Sequence, residues 1–224
     1  MATHKEHSRR QEVAQVNNPL QRQLDGRSYC VQTITQGPRA ASPLHFSYKQ
    51  DSTDGTSKDY EADLNGDHFD VTIHSRHPAT DLDRQSSKVP GAKALSIRDG
   101  FAESLETSHY KRSDRQGWSS AANGMVLGAS PWQLFVARPD VTEAGSETIM
   151  GYPTIKYAVD TRHQSAPEKA PTASGWGVTD YSIAGSAWAT KDTACILQYA
   201  IDLEKTTEDG KVEKTHYSGS ITKP

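Results

Sequence analysis

Nine histidines raise metal binding or acid–base chemistry as the first possibility. His68, His74 and His77 lie close together, with Asp67 and Asp70 beside and between them. Imidazole and carboxylate groups are ordinary zinc ligands, so the residue types are right. The spacing is not. On a strand His68 and His74 would share a face, yet six residues at ~3.3 Å each put them about 20 Å apart. His74 and His77 match no standard zinc spacing, and no cysteine pair accompanies them. The expectation is polar-face histidines in water, with no metal site.

Two acidic stretches invite a calcium loop: Asp51, Asp54, Gly55 and Asp59, and Asp63, Asn65, Gly66 and Asp67. An EF-hand needs oxygens at alternate positions, glycine at the sixth and glutamate at the twelfth, which neither stretch supplies. Asp, Asn and Gly are also the residues of tight turns, and hairpin turns explain both. No G-x-S-x-G elbow occurs, and neither cysteine sits in a catalytic signature. Gly175-Trp176-Gly177 lacks the third glycine of a phosphate loop, so no cofactor is expected. Glu103 and Glu106 read as water-facing carboxylates on a helix. A Ser-His-Asp set assembled from distant positions would be invisible here, which leaves a hydrolase as the third reading.

Composition narrows the partners. Of 224 residues, 34% are hydrophobic, so much of the chain must be loop, tail or outward sheet face. The net charge of -3 comes from 25 basic and 28 acidic residues mixed along the chain. Without a basic block, nucleic acid has no electrostatic footprint. No run of ~20 apolar residues exists to form a membrane helix, so no integral membrane segment is expected. The N-terminus lacks the apolar core of a secretion signal. That leaves a cytoplasmic protein, or an exported one whose leader has been removed. Cys30 and Cys195 could pair in an oxidising compartment or stay as two half-buried thiols.

Stepping outward to the elements, the dominant pattern is period-two alternation. Residues 1–18 read as a polar tail and 19–224 as a single β-rich domain. Residues 28–35, Leu44-Phe46-Tyr48, Tyr60-Ala62-Leu64 and Phe69-Val71-Ile73 predict a four-strand meander with turns at Asp54-Gly55 and Asn65-Gly66. Residues 76–93 read as a long loop. Ser96 reads as a helix cap, with Phe101, Ala102, Leu105 and His109 at helical spacing, so a helical insert is expected at about 94–130. Strands return at 147–151, 154–161, 181–190, 194–204 and 211–222. Within the 194–204 strand, Leu197, Tyr199, Ile201 and Leu203 share an apolar face. The fold class is therefore α+β: a curved antiparallel sheet or unclosed β-barrel with short helices packed on its concave face.

Apolar and aromatic residues concentrate in the middle of the chain, with Phe101, Leu105, Trp118, Trp132 and Phe135 among them. Such a section either fills the sheet's hollow as core or lids an apolar cleft. The strand run Gly151-Tyr152-Pro153-Thr154-Ile155-Lys156-Tyr157, followed by Gly185-Ser186-Ala187-Trp188 and Thr193 before a long closing hairpin, resembles LolA-like bacterial envelope proteins. The resemblance implies an unclosed barrel that holds acyl chains or other lipids over helices. It implies a non-enzymatic, periplasmic or envelope-located carrier of a hydrophobic ligand. Phe46, Phe101, Leu105, Trp132, Tyr157 and Trp188 are the candidate contacts. The alternative is an interaction module that joins an envelope protein partner through its sheet surface or edges.

Overall fold

Leu44, Phe46 and Tyr48 alternate with His45, Ser47 and Lys49, a period that a strand sorts onto two faces. They open β1 (Leu44–Ser52), which leads to β2 (Ser57–Asn65) and β3 (His68–Pro78). The computed structural model describes residues 43–88, 95–111, 113–114, 141–162, 178–192, 195–207 and 210–224. The expected strand at 28–35, the tail at 1–18, Cys30, the 117–136 stretch and Trp132 lie outside those residues. Asp54 fixes the first turn by accepting from the Thr56 amide at 2.8 Å and from its hydroxyl at 3.0 Å. In the second, Asn65 pairs with His68, so the loop is Gly66-Asp67, one residue beyond the Asn65-Gly66 turn expected.

Residues 76–93, expected to be all loop, contain the end of β3 and one turn and a half of helix, α1 (Asp81–Ser86). Thr80 accepts from the Asp83 amide while the Asp83 carboxylate takes the Thr80 amide, a reciprocal capping box. No residue of α1 is buried. Among the described residues, then, no helix packs on the sheet.

The helix expected from Ser96 is a hairpin. Leu95–Arg98 form β4 and Phe101–Lys111 form β5, and Arg98 pairs directly with Phe101. Asp99 and Gly100 both have positive φ, 51° and 82°, the two-residue geometry whose twist matches that of adjacent strands. The turn chemistry outweighed a helical spacing that rested on two large apolar residues, Phe101 and Leu105.

The second half repeats the plan. β6 (Thr142–Ile149) turns at Met150-Gly151, again with both φ positive, into β7 (Tyr152–Asp160). β8 (Val178–Thr190), β9 (Ile196–Thr207) and β10 (Val212–Thr222) complete it. All pairings are antiparallel, in one ten-stranded sheet of order β4-β5-β3-β2-β1-β10-β9-β8-β7-β6. The two meanders join where β1 pairs with β10, from His45 opposite Thr222 to Ser52 opposite Thr215. The order does not close on itself, so the architecture is an unclosed, half-barrel-like antiparallel sheet.

One face carries the core. Leu44, Phe46, Leu64, Phe69, Ile183, Leu197 and Ile201 are all essentially inaccessible. Phe46 on β1 and Phe69 on β3 stand two strands apart but meet edge-on at 5.4 Å between ring centroids. The small Ala62 on the intervening β2 leaves them room. Buried threonines satisfy the backbone around this face: Thr154 donates to the Glu147 carbonyl at 2.9 Å, and Thr161 accepts from the Ile183 amide at 2.8 Å.

Candidate ligand-binding face

Register converts separate strands into a continuous surface. Tyr60 lies opposite Tyr48, Tyr48 opposite Gly219, Gly219 opposite Tyr199, Tyr199 opposite Ala187 and Ala187 opposite Tyr157. These six residues form one line across β2, β1, β10, β9, β8 and β7, all on the apolar face. A second line runs beside it, Tyr217 to Ile201 to Gly185 to Val159. Beyond the Tyr60–Tyr48 pair, the tyrosines of the first line thus alternate with Gly or Ala.

The glycine at 219 is required by a neighbour. A Cβ there would lie 2.4 Å from Cε1 of Tyr199 and 2.9 Å from its hydroxyl oxygen, so the Tyr199 ring rests across the Gly219 backbone. Gly219→Ala is expected to lower stability by about 1–3 kcal/mol, the usual cost of overpacking, because Tyr199 must tilt in a buried site. A denaturant midpoint equal to that of the parent protein would show that the ring has free space to move into.

Burial pushes the phenols of Tyr48, Tyr60, Tyr157, Tyr199 and Tyr217 above their ordinary value. Neighbouring phenols add to this: Tyr217 acts on Tyr48, Tyr110 on Tyr60, and both Tyr48 and Tyr217 on Tyr199. All five therefore remain neutral through the physiological range, able to donate and accept hydrogen bonds without presenting charge. Tyr48 donates to Oε1 of Gln50 at 3.0 Å. A crevice between Leu197, Tyr199, Gly219 and Ile221 has room for about one water molecule.

Of the residues singled out from the sequence, Phe46 and Tyr157 stand on this face and are buried. Phe101, Leu105 and Trp188 stand on the other, so they do not line the hollow. Trp188 sits between buried Ala187 and Ala189 and points the opposite way, with the Lys156 ammonium 4.7 Å from its ring centre. Phe101 lies under the Arg76 guanidinium at 3.5 Å, and Leu105 is 56% exposed. The line of Tyr60, Tyr48, Tyr199 and Tyr157 was missed as a unit. Each residue was visible in its strand, but the pairing of β1 with β10 joins residues more than 160 positions apart in sequence.

The opposite face is polar, and its histidines pair with carboxylates. His45 Nδ1 lies 2.8 Å from Asp63 and its Nε2 2.8 Å from Glu61. His109 lies 2.6 Å from Asp70, His216 2.7 Å from Asp202, and His68 2.6 Å from Asp67. Both ring nitrogens of His45 are taken by acids, so neither is aimed at a serine as a hydrolase base would be. Among the described residues, no group of three or more His, Cys, Asp or Glu converges as a metal site.

Cys195, at the start of β9, is fully buried and disulfide-bonded. The chain's other cysteine is Cys30. Among the described residues, no helix is long and apolar enough to cross a membrane. No protein-family model and no curated protein matches the sequence.

Proposed function

We propose that this chain binds or carries a lipid-like hydrophobic molecule against the tyrosine-lined face of its open sheet, without catalysing a reaction. The line from Tyr60 to Tyr157 carries the reading. It crosses five interstrand steps of about 4.8 Å, about 24 Å in all, the length of an extended acyl chain, and because these rings are buried a ligand takes the place of the groups that cover them. The wall is apolar in its ring bodies, while its neutral hydroxyls suit the polar end of a lipid that is otherwise greasy. This is the kind of surface that LolA-like envelope proteins use, and the resemblance at 151–157 and 185–193 agrees with it. A disulfide at Cys195 fits an oxidising compartment, the periplasm or cell envelope.

A second reading, an assembly module, draws on β6. Thr142–Thr148 is exposed along its length and, among the described residues, pairs with β7 alone. Its Glu143 and Glu147 and the bulge between Glu143 and Gly145 are devices that discourage edge pairing, so this reading ranks below the first. One experiment separates them. Delipidated full chain, monomeric by light scattering, is expected to bind a fluorescent fatty acid saturably at one site. Assembly without saturable binding would favour the module, and a monomer that binds nothing would defeat the carrier.

A further inference from the structure

The polar face holds a row that the carrier role leaves unused. His109 on β5 lies opposite Asp70 on β3, Asp70 opposite Asp63 on β2, and Asp63 opposite His45 on β1. Two carboxylates therefore face each other directly across neighbouring strands, an arrangement that repels when both are charged. Each is held from its far side by an imidazole, His109 Nδ1 at 2.6 Å from Asp70 and His45 Nδ1 at 2.8 Å from Asp63. With both rings protonated the row reads plus, minus, minus, plus; with both neutral it reads as two bare negative charges.

We propose that this row is an acid-strengthened brace, which ties β5, β3, β2 and β1 together more firmly in mildly acidic than in mildly alkaline solution. The surroundings favour that direction. His45 faces Asp63 and Glu61 from β2, while its β10 partner Thr222 carries no side-chain charge. His109 faces Asp70 from β3, and the nearest opposing cation, Lys111, is two residues along on the same strand, opposite His68. The hydrogen bond to Asp63 is the largest effect on the His45 imidazole and raises it; burial, next in size, lowers it, and the charges of Asp63 and Glu61 and the Glu61 hydrogen bond raise it again, so it stands above its ordinary value.

The sign follows. A histidine whose folded value is raised contributes stability that is complete below its unfolded value, about 6.5, and is lost as pH rises through the folded value. The interval from pH 6 to pH 8 brackets the rise expected for the His45 imidazole. The His45 contact, an exposed pair of ordinary strength, corresponds in a chain this size to a melting temperature about 1–2 °C higher at pH 6 than at pH 8.

The test is thermal unfolding of the full chain at pH 6, 7 and 8, beside H45Q/H109Q and D63N, with the His45 ring titrated by NMR in the parent protein. Expected are a melting temperature that falls with pH, a shallower slope in H45Q/H109Q, and a D63N protein whose stability relative to the parent is more favourable at pH 8 than at pH 6. The His45 resonance should titrate above the free-imidazole value. A flat parent profile, a full slope retained in H45Q/H109Q, or a His45 titration at or below the free value would overturn the proposal. The NMR arm decides it even if a variant fails to fold.

Discussion

Gly185→Ala is expected to cost about 3 kcal/mol or more, and to lower the melting temperature by roughly 6–12 °C. Gly185 sits on β8 opposite Ile201, in the second line of the apolar face, with φ at 156°. A Cβ built there lies 2.3 Å from the Ala200 carbonyl oxygen and 2.8 Å from the Ile201 Cα. Both are backbone atoms of the partner strand, so no rotamer change relieves the contact. β8 would have to separate from β9 where Ile183, Ile201 and Leu203 are buried. This differs in kind from Gly219→Ala, where the obstacle is a ring that can tilt. Gly66→Ala is the control: its φ is 62°, but nothing lies within 4 Å of the added Cβ, so only the left-handed backbone costs, about 1–2 kcal/mol. Denaturant midpoints for both variants measure the difference. Equal losses would mean that β8 and β9 are not held at this separation.

The strands that were legible in the sequence were those in which alternation and turn chemistry agreed. Leu197, Tyr199, Ile201 and Leu203 read as one apolar face and are all buried. Ile196 falls outside that alternation, yet it too is buried, because the β8–β9 register shifts between Trp188 and Ala189. A bulge adds one residue to one strand and so breaks the period on which the reading depends. Trp188 shows the opposite error. The family resemblance implied an inward-facing indole, but its neighbours Ala187 and Ala189 face inward instead, opposite Tyr199 and Tyr157 on the flanking strands. At Asp99-Gly100 the hairpin cue was present and was outweighed by a short helical spacing. Turn residues that demand positive φ constrain the chain more than two well-spaced apolar residues do.

The candidate face was legible only in pieces, and the polar row hardly at all. Tyr48 and Tyr199 lie 151 positions apart, and Gly219 joins them only once β1 pairs with β10. The histidines gave the same difficulty. His45 and Asp63 look unrelated in sequence, and their contact needs the β1–β2 register, which shifts every side chain to the other face if it slips by one residue. What local pattern cannot supply is this long-range alignment, and both the proposed lipid wall and the proposed brace are made of it.

Reducing the disulfide at Cys195 is expected to lower stability by about 2–5 kcal/mol, since a cross-link removes conformational freedom from the unfolded chain. Unfolded, unreduced protein should accordingly show no free thiol in a thiol titration. Cys195 also works locally. Its amide donates to the Thr190 hydroxyl at 2.9 Å, and its carbonyl accepts from the Thr190 amide at 2.8 Å, closing the β8–β9 turn. Replacing Cys195 with Ser thus disturbs a buried site as well as the cross-link, whereas reductant opens the cross-link and leaves the Cys195 side chain in place. C195S should therefore fall somewhat below the reduced parent protein in its denaturant midpoint. If reductant leaves the parent midpoint unchanged, the bond does not restrain the unfolded chain. The argument for an oxidising compartment would then lose its energetic basis, because a bond with no effect on stability gives no reason for the fold to need one.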